Sequence, residues 1–217
     1  MSSLLLYSYF RSSAAYRVRI ALNLKGLEYT AIPVHLLRAG GEQHRAEFAA
    51  RNPLQLVPVL QDDAVTLTQS VAIIEYIEER HPLPPLLPAD APGRARVRAL
   101  ALAVACEIHP LNNLRVLRHL KSEYGLDDSQ REGWSRHWIA QGFEALERML
   151  AGSAATGSYC HGDSPTMADC LLVPQVANAR RVRCPLEAYP TLMRINDRCV
   201  REDAFARAAP EAQIDAE

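Results

Sequence analysis

Residues 4–34 read LLLYSYFRSSAAYRVRIALNLKGLEYTAIPV, and this stretch predicts a strand, a helix and a second strand. Residues 4–7 and 29–34 are short apolar runs of strand length. Between them, residues 13–25 place apolar side chains on one helical face, a serine can cap the start and Gly26 can end the helix. This order favours two parallel strands joined by a crossover helix.

The pattern continues as a small α/β unit followed by helices. Beyond residue 34 the predicted elements are a helix over 40–50, strands over 57–60 and 65–67, and an amphipathic helix over 70–80. Residues 81–92 contain five prolines, which predicts a semi-rigid connector, and the later segments have helical spacing, with one long segment over 94–121 interrupted by Pro110. We therefore expect an α/β domain over 1–82, a linker over 83–92 and an all-helical domain over 93–217.

The composition is that of a soluble globular protein. Of 217 residues, 48% are hydrophobic and 23% charged, and 24 basic residues nearly cancel 25 acidic ones. This balance offers no electrostatic case for a nucleic acid or an anionic membrane as partner, and the apolar runs are too short to span a bilayer. No secretory signal is visible over residues 1–10, and five cysteines without a C-x-x-C pair suit reduced thiols rather than a metal site. We expect a cytoplasmic protein without a metal.

Two predicted helix starts carry candidate site residues. Ser12 and Ser13 follow the first strand and enter a helix, while Gln69 and Ser70 open another helix. Helix N-termini offer free backbone N–H groups that stabilise anions and thiolates. The alternative is that these residues only cap their helices.

Other positions allow more than one interpretation. Pro58 is either a strand-edge residue or a cis proline in a tight turn, and the rarity of cis bonds favours trans. Pro110 should kink its helix toward a cleft, which draws attention to its polar neighbours His109, Asn112, Asn113 and Arg115; for His109 alone, a structural role as a satisfied, partly buried histidine is the favoured interpretation.

Two features of the helical half predict structure. Thr166 and Asp169 have the spacing of a capping box, which is a folding signal. Arg180 and Arg181 suit a helix C-terminus, where they would offset the helix dipole.

The order of these elements and helix-start residues, over essentially the whole chain, resembles that of a cytosolic glutathione transferase. Residues 12–22, SSAAYRVRIAL, are similar to the zeta-class signature usually written SSCxWRVRIAL. Gln69-Ser70, Gly162-Asp163 and residues 173–178 (VPQVAN) resemble further landmarks of that class. The resemblance implies a thioredoxin-like N-terminal domain, an all-α C-terminal domain, glutathione as cofactor and a homodimer.

The resemblance also implies roles for particular residues, Ser12 toward the glutathione sulfur and Ser70 toward the γ-glutamyl carboxylate. The residues expected to act in catalysis are Ser12, Ser13, Arg11 and Arg115. Those expected to bind glutathione are Ser12, Ser13, Gln43, Val57 (through its backbone), Gln69, Ser70, His109, Asn113 and Arg115. Those expected to bind a dicarboxylate substrate are Arg11, Arg115 and Arg181.

The implied reaction is a cis–trans isomerisation in which a thiolate adds reversibly to the double bond. The class includes maleylacetoacetate isomerase of tyrosine breakdown, whose product is fumarylacetoacetate, and maleylpyruvate isomerase of bacterial aromatic degradation, whose product is fumarylpyruvate. The double serine is closer to the first, while residues 106–113 and 204–213 are closer to the second. A transferase or dehalogenase acting on α-haloacids, and a glutathione-binding protein without catalysis, are the other readings.

Two residues depart from the signature. Ala14 stands where the signature has cysteine, and Tyr16 where it has tryptophan. Isomerisation should survive the loss of the cysteine if glutathione supplies the sulfur. Side reactions that need a protein thiol at this position should not.

Overall fold

The computed structural model describes residues 4–217, which divide into two compact units. One unit comprises residues 4–86 together with Arg201–Glu217, and the other comprises Leu87–Val200. The first unit is built on a sheet flanked by helices, and the second contains helices only within the described residues. This confirms the predicted combination of an α/β unit and an all-α unit.

The first unit is organised by a four-stranded sheet in the order β2-β1-β3-β4. Strands β1 and β2 are parallel, while β3 is antiparallel to both β1 and β4. Alternate residues of β1 are buried, because one face of this strand packs into the core. The strands are β1 (Leu4–Ser8), β2 (Tyr29–Pro33), β3 (Val59–Asp62) and β4 (Val65–Thr68).

The main helices of this unit are α1 (Ser13–Leu24) and α3 (Ser70–Arg80), which pack against each other. Helix α1 buries most of its apolar face, including Val18 and Leu22, while Ala14 is partly buried. Helix α3 matches the prediction and buries its isoleucines. The predicted order of strands and helices in this unit is therefore confirmed.

One predicted helix, over residues 40–50, is wrong in its first half. The α-helix here, α2, spans only Ala46–Arg51, and single 3₁₀ turns precede it. Gly40 and Gly41 adopt φ angles of 81° and 114°, which a right-handed helix does not accommodate. The next strand also begins later than predicted, at Val59, and the Val57–Pro58 bond before it is cis. The expected trans bond was therefore wrong.

The C-terminal residues pack with the first unit, whereas the sequence prediction placed 93–217 together in the helical domain. Helix α9 (Asp203–Ala208) packs against α1, and its Phe205 and Ala208 are fully buried. The Arg19 Nε of α1 donates to the carbonyl of Ala208 at 2.9 Å. Apolar burial and this buried hydrogen bond hold the end of the chain on the first unit.

The second unit is a bundle whose most buried helix is α7, which packs against α4 and α8. Its start has the predicted capping box: the Thr166 backbone N and Oγ1 both donate to Asp169 Oδ2, at 2.8 and 2.9 Å. The helices are α4 (Ala91–Leu102), α5 (Leu114–Tyr124), α6 (Asp128–Ala151), α7 (Met167–Arg181) and α8 (Pro190–Cys199).

The long helix predicted over 94–121 is broken, as Pro110 suggested, but more extensively than a kink. After α4 the chain forms a π-helical segment, Ala103–Ile108, and then a 3₁₀ turn, His109–Asn112. Gly142 of α6 permits this path, since a Cβ on it would lie 2.2 Å from Cγ1 of Ile108. π-Helical segments are frequent at functional sites.

Two further observations bear on the whole described range. Over residues 4–217, no helix is both long and apolar enough to cross a membrane. All five cysteines are free thiols; Cys106 is exposed and the other four are buried.

Candidate glutathione site

Most predicted ligands of the first unit lie at one edge of its sheet. The register pairs Ser8 at the end of β1 with Pro33 at the end of β2, and Val59 at the start of β3 with both Tyr7 and Thr68. The turns at these strand ends carry Ser12 and Ser13 after β1, Gln43 after β2, Val57 before β3, and Gln69 and Ser70 after β4. The topology thus places six predicted residues at one edge.

Ser12 is the N-cap of α1, and its hydroxyl has capacity for a second role. Its Oγ accepts a hydrogen bond from the Ala15 backbone N at 3.2 Å, and its backbone is extended (φ −71°, ψ 112°). Both Ser12 and Ser13 are half-buried. Because a hydroxyl accepts and donates, Ser12 Oγ can cap the helix and still donate its proton outward. The capping interpretation is confirmed, and it is compatible with sulfur binding.

The start of α3 places free backbone N–H groups close to the buried guanidinium group of Arg17. Ser70 is the first residue of α3 and is buried, and its Oγ accepts from Arg17 Nη1 at 3.1 Å. Gln69 precedes it with a positive φ of 69°. A helix N-terminus next to a guanidinium group is suited to a carboxylate. Arg17 is not among the predicted site residues.

The sequence did contain a signal for Arg17. It lies in the middle of an otherwise apolar helix together with Arg19, and both are almost completely buried. Charged side chains are rarely buried unless they are paired, so two arginines on a predicted core helix indicate buried partners. Ser70 and the tail of the chain are such partners.

Gln43 offers a buried acceptor at the same sheet edge. The residue is buried, and its Nε2 lies 3.0 Å from Nε2 of His44. Its Oε1 has no hydrogen-bond partner within residues 4–217. Gly41 beside it adopts a φ of 114°, which other residues rarely adopt, and a Cβ there would lie 2.6 Å from the Gln43 amide and displace it. A buried acceptor of this kind is suited to the N–H of a bound peptide.

Val57 is buried and lies just before β3, in a loop held by Asn52. Asn52 Nδ2 donates to the Leu56 carbonyl at 2.7 Å, and Asn52 Oδ1 accepts from the Leu54 backbone N at 3.1 Å. Because Val57 lies outside the ladder, its backbone is not committed to strand pairing. This is consistent with the predicted backbone contact to a peptide.

Arg11 lies in the turn between β1 and α1 and is exposed. Its guanidinium carbon is 5.1 Å from the ring centroid of Phe10. This cation–π contact orients the side chain at the turn that presents Ser12.

The predicted residues of the second unit cluster where the helix path is broken. His109 starts the 3₁₀ turn and is half-buried, and Asn113 caps α5 by accepting from the Arg115 backbone N at 3.1 Å. Arg115 is exposed in the first turn of α5. These three residues therefore lie in one short segment at the break between α4 and α5.

Arg181 lies apart from that segment, at the last residue of α7. It is exposed, and its Nη2 donates to Oδ1 of Asn178 at 2.5 Å. Nη2 of its neighbour Arg180 lies 3.6 Å from Oδ1 of Asp197. Both arginines occupy the helix C-terminus, as the dipole interpretation expected.

The chemistry of the first unit fits glutathione. A tripeptide with a thiol, two carboxylates and peptide N–H groups needs anion sites and hydrogen-bond acceptors. The starts of α1 and α3, the Arg17–Ser70 pair and the orphaned Gln43 oxygen supply both kinds of group.

Comparison with known proteins agrees with this geometry. Residues 6–85 match the family model for the glutathione S-transferase N-terminal domain, and residues 130–199 match the model for its C-terminal domain. The chain therefore belongs to the glutathione S-transferase family.

Individual relatives are isomerases of this family. A protein of Vibrio cholerae serotype O1, named probable maleylacetoacetate isomerase, is 52% identical over 100% of both chains. A holo structure of maleylpyruvate isomerase, a bacterial zeta-class enzyme, is 49% identical with a TM-score of 0.96, covering 98% of this chain and 100% of that one. Maleylacetoacetate isomerase from Anaeromyxobacter dehalogenans 2CP-1, with GSH bound in its active site, is 48% identical with a TM-score of 0.88, covering 100% and 99%. The resemblance to the zeta class is thus confirmed.

Proposed function

We propose that this protein is a glutathione-dependent cis–trans isomerase that converts maleylacetoacetate to fumarylacetoacetate. The observation that carries the proposal is the pair of helix starts at one sheet edge, with a capping Ser12 that can also donate and an Arg17–Ser70 anion site. Relatives named as this isomerase, at about half identity over the whole chain, support the choice of reaction.

The glutathione-binding residues have distinct tasks. Ser70 and Arg17 bind the γ-glutamyl carboxylate through the N-terminus of α3. Gln43 accepts a hydrogen bond from a peptide N–H of glutathione, and Val57 contacts the peptide through its backbone. Gln69 helps to hold the peptide at the start of α3. By the family resemblance, His109, Asn113 and Arg115 are assigned further contacts to the cofactor.

The thiol group is controlled by the start of α1. Glutathione, when bound, supplies a thiolate nucleophile, the group needed for reversible addition to a conjugated cis double bond. A cysteine-like thiol has a pKa of about 8.5, so only a few per cent is ionised at pH 7. The Ser12 hydroxyl and the N–H groups of the first turn, with support from Ser13, lower that pKa and orient the sulfur.

Arginines bind the substrate and the charge that develops on it. Arg11, Arg115 and Arg181 pair with the carboxylates of the substrate, since a guanidinium group forms two parallel hydrogen bonds to a carboxylate. Arg11 and Arg115 also stabilise negative charge on the conjugated carbonyl during rotation about the former double bond. Isomerisation then restores the free thiol, so glutathione is not consumed.

A second substrate, maleylpyruvate, is supported by the similarity to the structure of maleylpyruvate isomerase. The test is to measure kcat/KM for maleylacetoacetate and maleylpyruvate side by side with the same enzyme and glutathione. A larger value for maleylacetoacetate supports the proposal. A larger value for maleylpyruvate reassigns the enzyme to aromatic degradation with fumarylpyruvate as product.

Consumption of glutathione with an α-haloacid, and no isomerisation, identifies instead a transferase or dehalogenase.

The biological setting is also proposed from the family. We infer a cytoplasmic homodimer that acts in tyrosine catabolism. Light scattering coupled to size-exclusion chromatography tests the dimer, for which a mass of twice 24.1 kDa is expected.

A further inference from the structure

The last residues of the chain contact both loops that present the glutathione site in the first unit. Asp215 Oδ2 accepts from the Phe10 backbone N at 3.0 Å, directly before Arg11 and Ser12. The carboxylate of Glu217 forms an ion pair with Arg38, on the loop that leads to Gln43. Two separate loops are thus tied by one short segment, Gln213–Glu217.

The base of this segment is anchored on α1 and α9. Gln213 Nε2 donates to the carbonyls of Arg207 and Ala209 at 2.9 and 2.8 Å. Arg19, fully buried, donates to Ala208 O at 2.9 Å and to Phe10 O at 3.1 Å. The same guanidinium therefore binds the base of the tail and the turn that Asp215 binds.

The charge of Arg19 persists at neutral pH. Burial lowers its pKa to about 10, while Tyr29, Tyr16, Asp215 and Glu211 oppose that effect. The side chain is a fixed cation to which the nearby carboxylate of Asp215 is attracted.

The loop that leads to Gln43 is also held by hydrogen bonds, which centre on His35. His35 Nδ1 accepts from the backbone N atoms of Leu37 and Arg38, at 3.2 and 2.9 Å. Because Nδ1 accepts, the other ring nitrogen, Nε2, carries a proton, and it lies 3.5 Å from Oε1 of Glu217. The Glu42 carboxylate accepts from the His35 backbone N at 2.8 Å, immediately before Gln43.

We propose that Gln213–Glu217 is a strap that holds the Ser12 turn and the Gln43 loop in position to bind glutathione, with Asp215 as its main positioning residue. This inference rests on the proposed function. Asp215 acts through the backbone and not on the reacting atoms. Loss of the strap should therefore weaken glutathione binding more than it slows turnover at saturating glutathione.

The test uses full-length Asp215→Ala, with Asp215→Asn as the conservative variant and Glu211→Gln as a charge control on the same tail. Titration calorimetry should give a glutathione Kd about tenfold higher for Asp215→Ala, the order expected for loss of one charge-assisted hydrogen bond. Asp215→Asn retains an acceptor and should recover most of the affinity. Glu211→Gln also removes a negative charge that acts on Arg19, but Glu211 is exposed and holds neither loop, so this variant should bind as the wild type does.

Kinetics and hydrogen exchange separate positioning from general destabilisation. For Asp215→Ala, KM for glutathione should rise while kcat at saturating glutathione stays within about twofold. Backbone amides of residues 9–15 and 34–44 should exchange faster, with the helices of the second unit unchanged.

Unaltered Kd and loop exchange in Asp215→Ala would overturn the strap and leave the proposed function intact. A wild-type enzyme that binds no glutathione would overturn both.

Discussion

Replacing Ser12 by glycine separates the two roles of its hydroxyl, helix capping and sulfur binding. The cap is one 3.2 Å hydrogen bond from Ala15 N to a half-buried Oγ. At an N-cap, Ser→Ala typically costs about 0.5–2 kcal/mol of stability, while Ser→Gly costs only a few tenths of a kcal/mol. Ser12→Gly should therefore unfold in denaturant almost as the wild type does, and Ser12→Ala measurably earlier.

The catalytic effect of Ser12→Gly should be far larger than its effect on stability. Removing a donor to a charged group in the reacting complex costs about 2–4 kcal/mol, which is about 30- to 1000-fold in kcat/KM. The pKa of the bound glutathione thiol, followed by thiolate absorbance, should also rise toward the value of free thiol. A Ser12→Gly enzyme with wild-type kcat/KM and wild-type thiol pKa would mean that Ser12 is only a cap.

Three more predictions concern other parts of the chain. Arg11→Ala should lower kcat/KM about 30- to 1000-fold, because a donor to the substrate is lost, and an unchanged value would remove Arg11 from the site. Gly142→Ala forces a Cβ to 2.2 Å from Cγ1 of Ile108 and should cost about 1–3 kcal/mol in denaturant unfolding. Gly133→Ala in the same helix, where an added Cβ meets no atom within 4 Å, should instead stabilise by about 0.4–1 kcal/mol. Hydrogen bonding to Arg183 lowers the pKa of Glu132, so the stabilising contribution of Glu132 is present above about pH 4.5 and is lost as the pH falls further. In Glu132→Gln, the free energy of unfolding should therefore fall less steeply on acidification than in the wild type. An unchanged dependence on pH would refute this.

The alternation of strands and helices in the first unit could be predicted because periodicity and caps act locally. Leu4 and Leu6, the capping serine and Gly26 each specify an element from its own neighbourhood. Apolar spacing alone could not exclude a helix at residues 40–50. The positive φ angles of Gly40 and Gly41 decide that segment.

Long-range contacts are what the sequence could not reveal. The π-helical path before His109 depends on Gly142, more than thirty positions away, leaving room for Ile108. The return of the C-terminus to the first unit depends on buried Arg19 meeting Ala208. Neither leaves a periodic signal in the chain.

The candidate site was predictable to a similar degree. Ser12 and Ser70 were identified because helix starts are visible in sequence, and both lie at helix starts in the structure. Arg17 was missed because its partner lies 53 residues away. The functional roles of all the candidate site residues remain predictions for mutagenesis.

The central claim is that glutathione acts as a recycled cofactor in a cis–trans isomerisation. The most direct measurement incubates the enzyme with maleylacetoacetate and substoichiometric glutathione, quantifies the trans product by chromatography and counts free thiol before and after. The account predicts many equivalents of fumarylacetoacetate per glutathione, with the thiol fully recovered. Product limited to one equivalent per glutathione, or thiol lost in proportion to product, would contradict it.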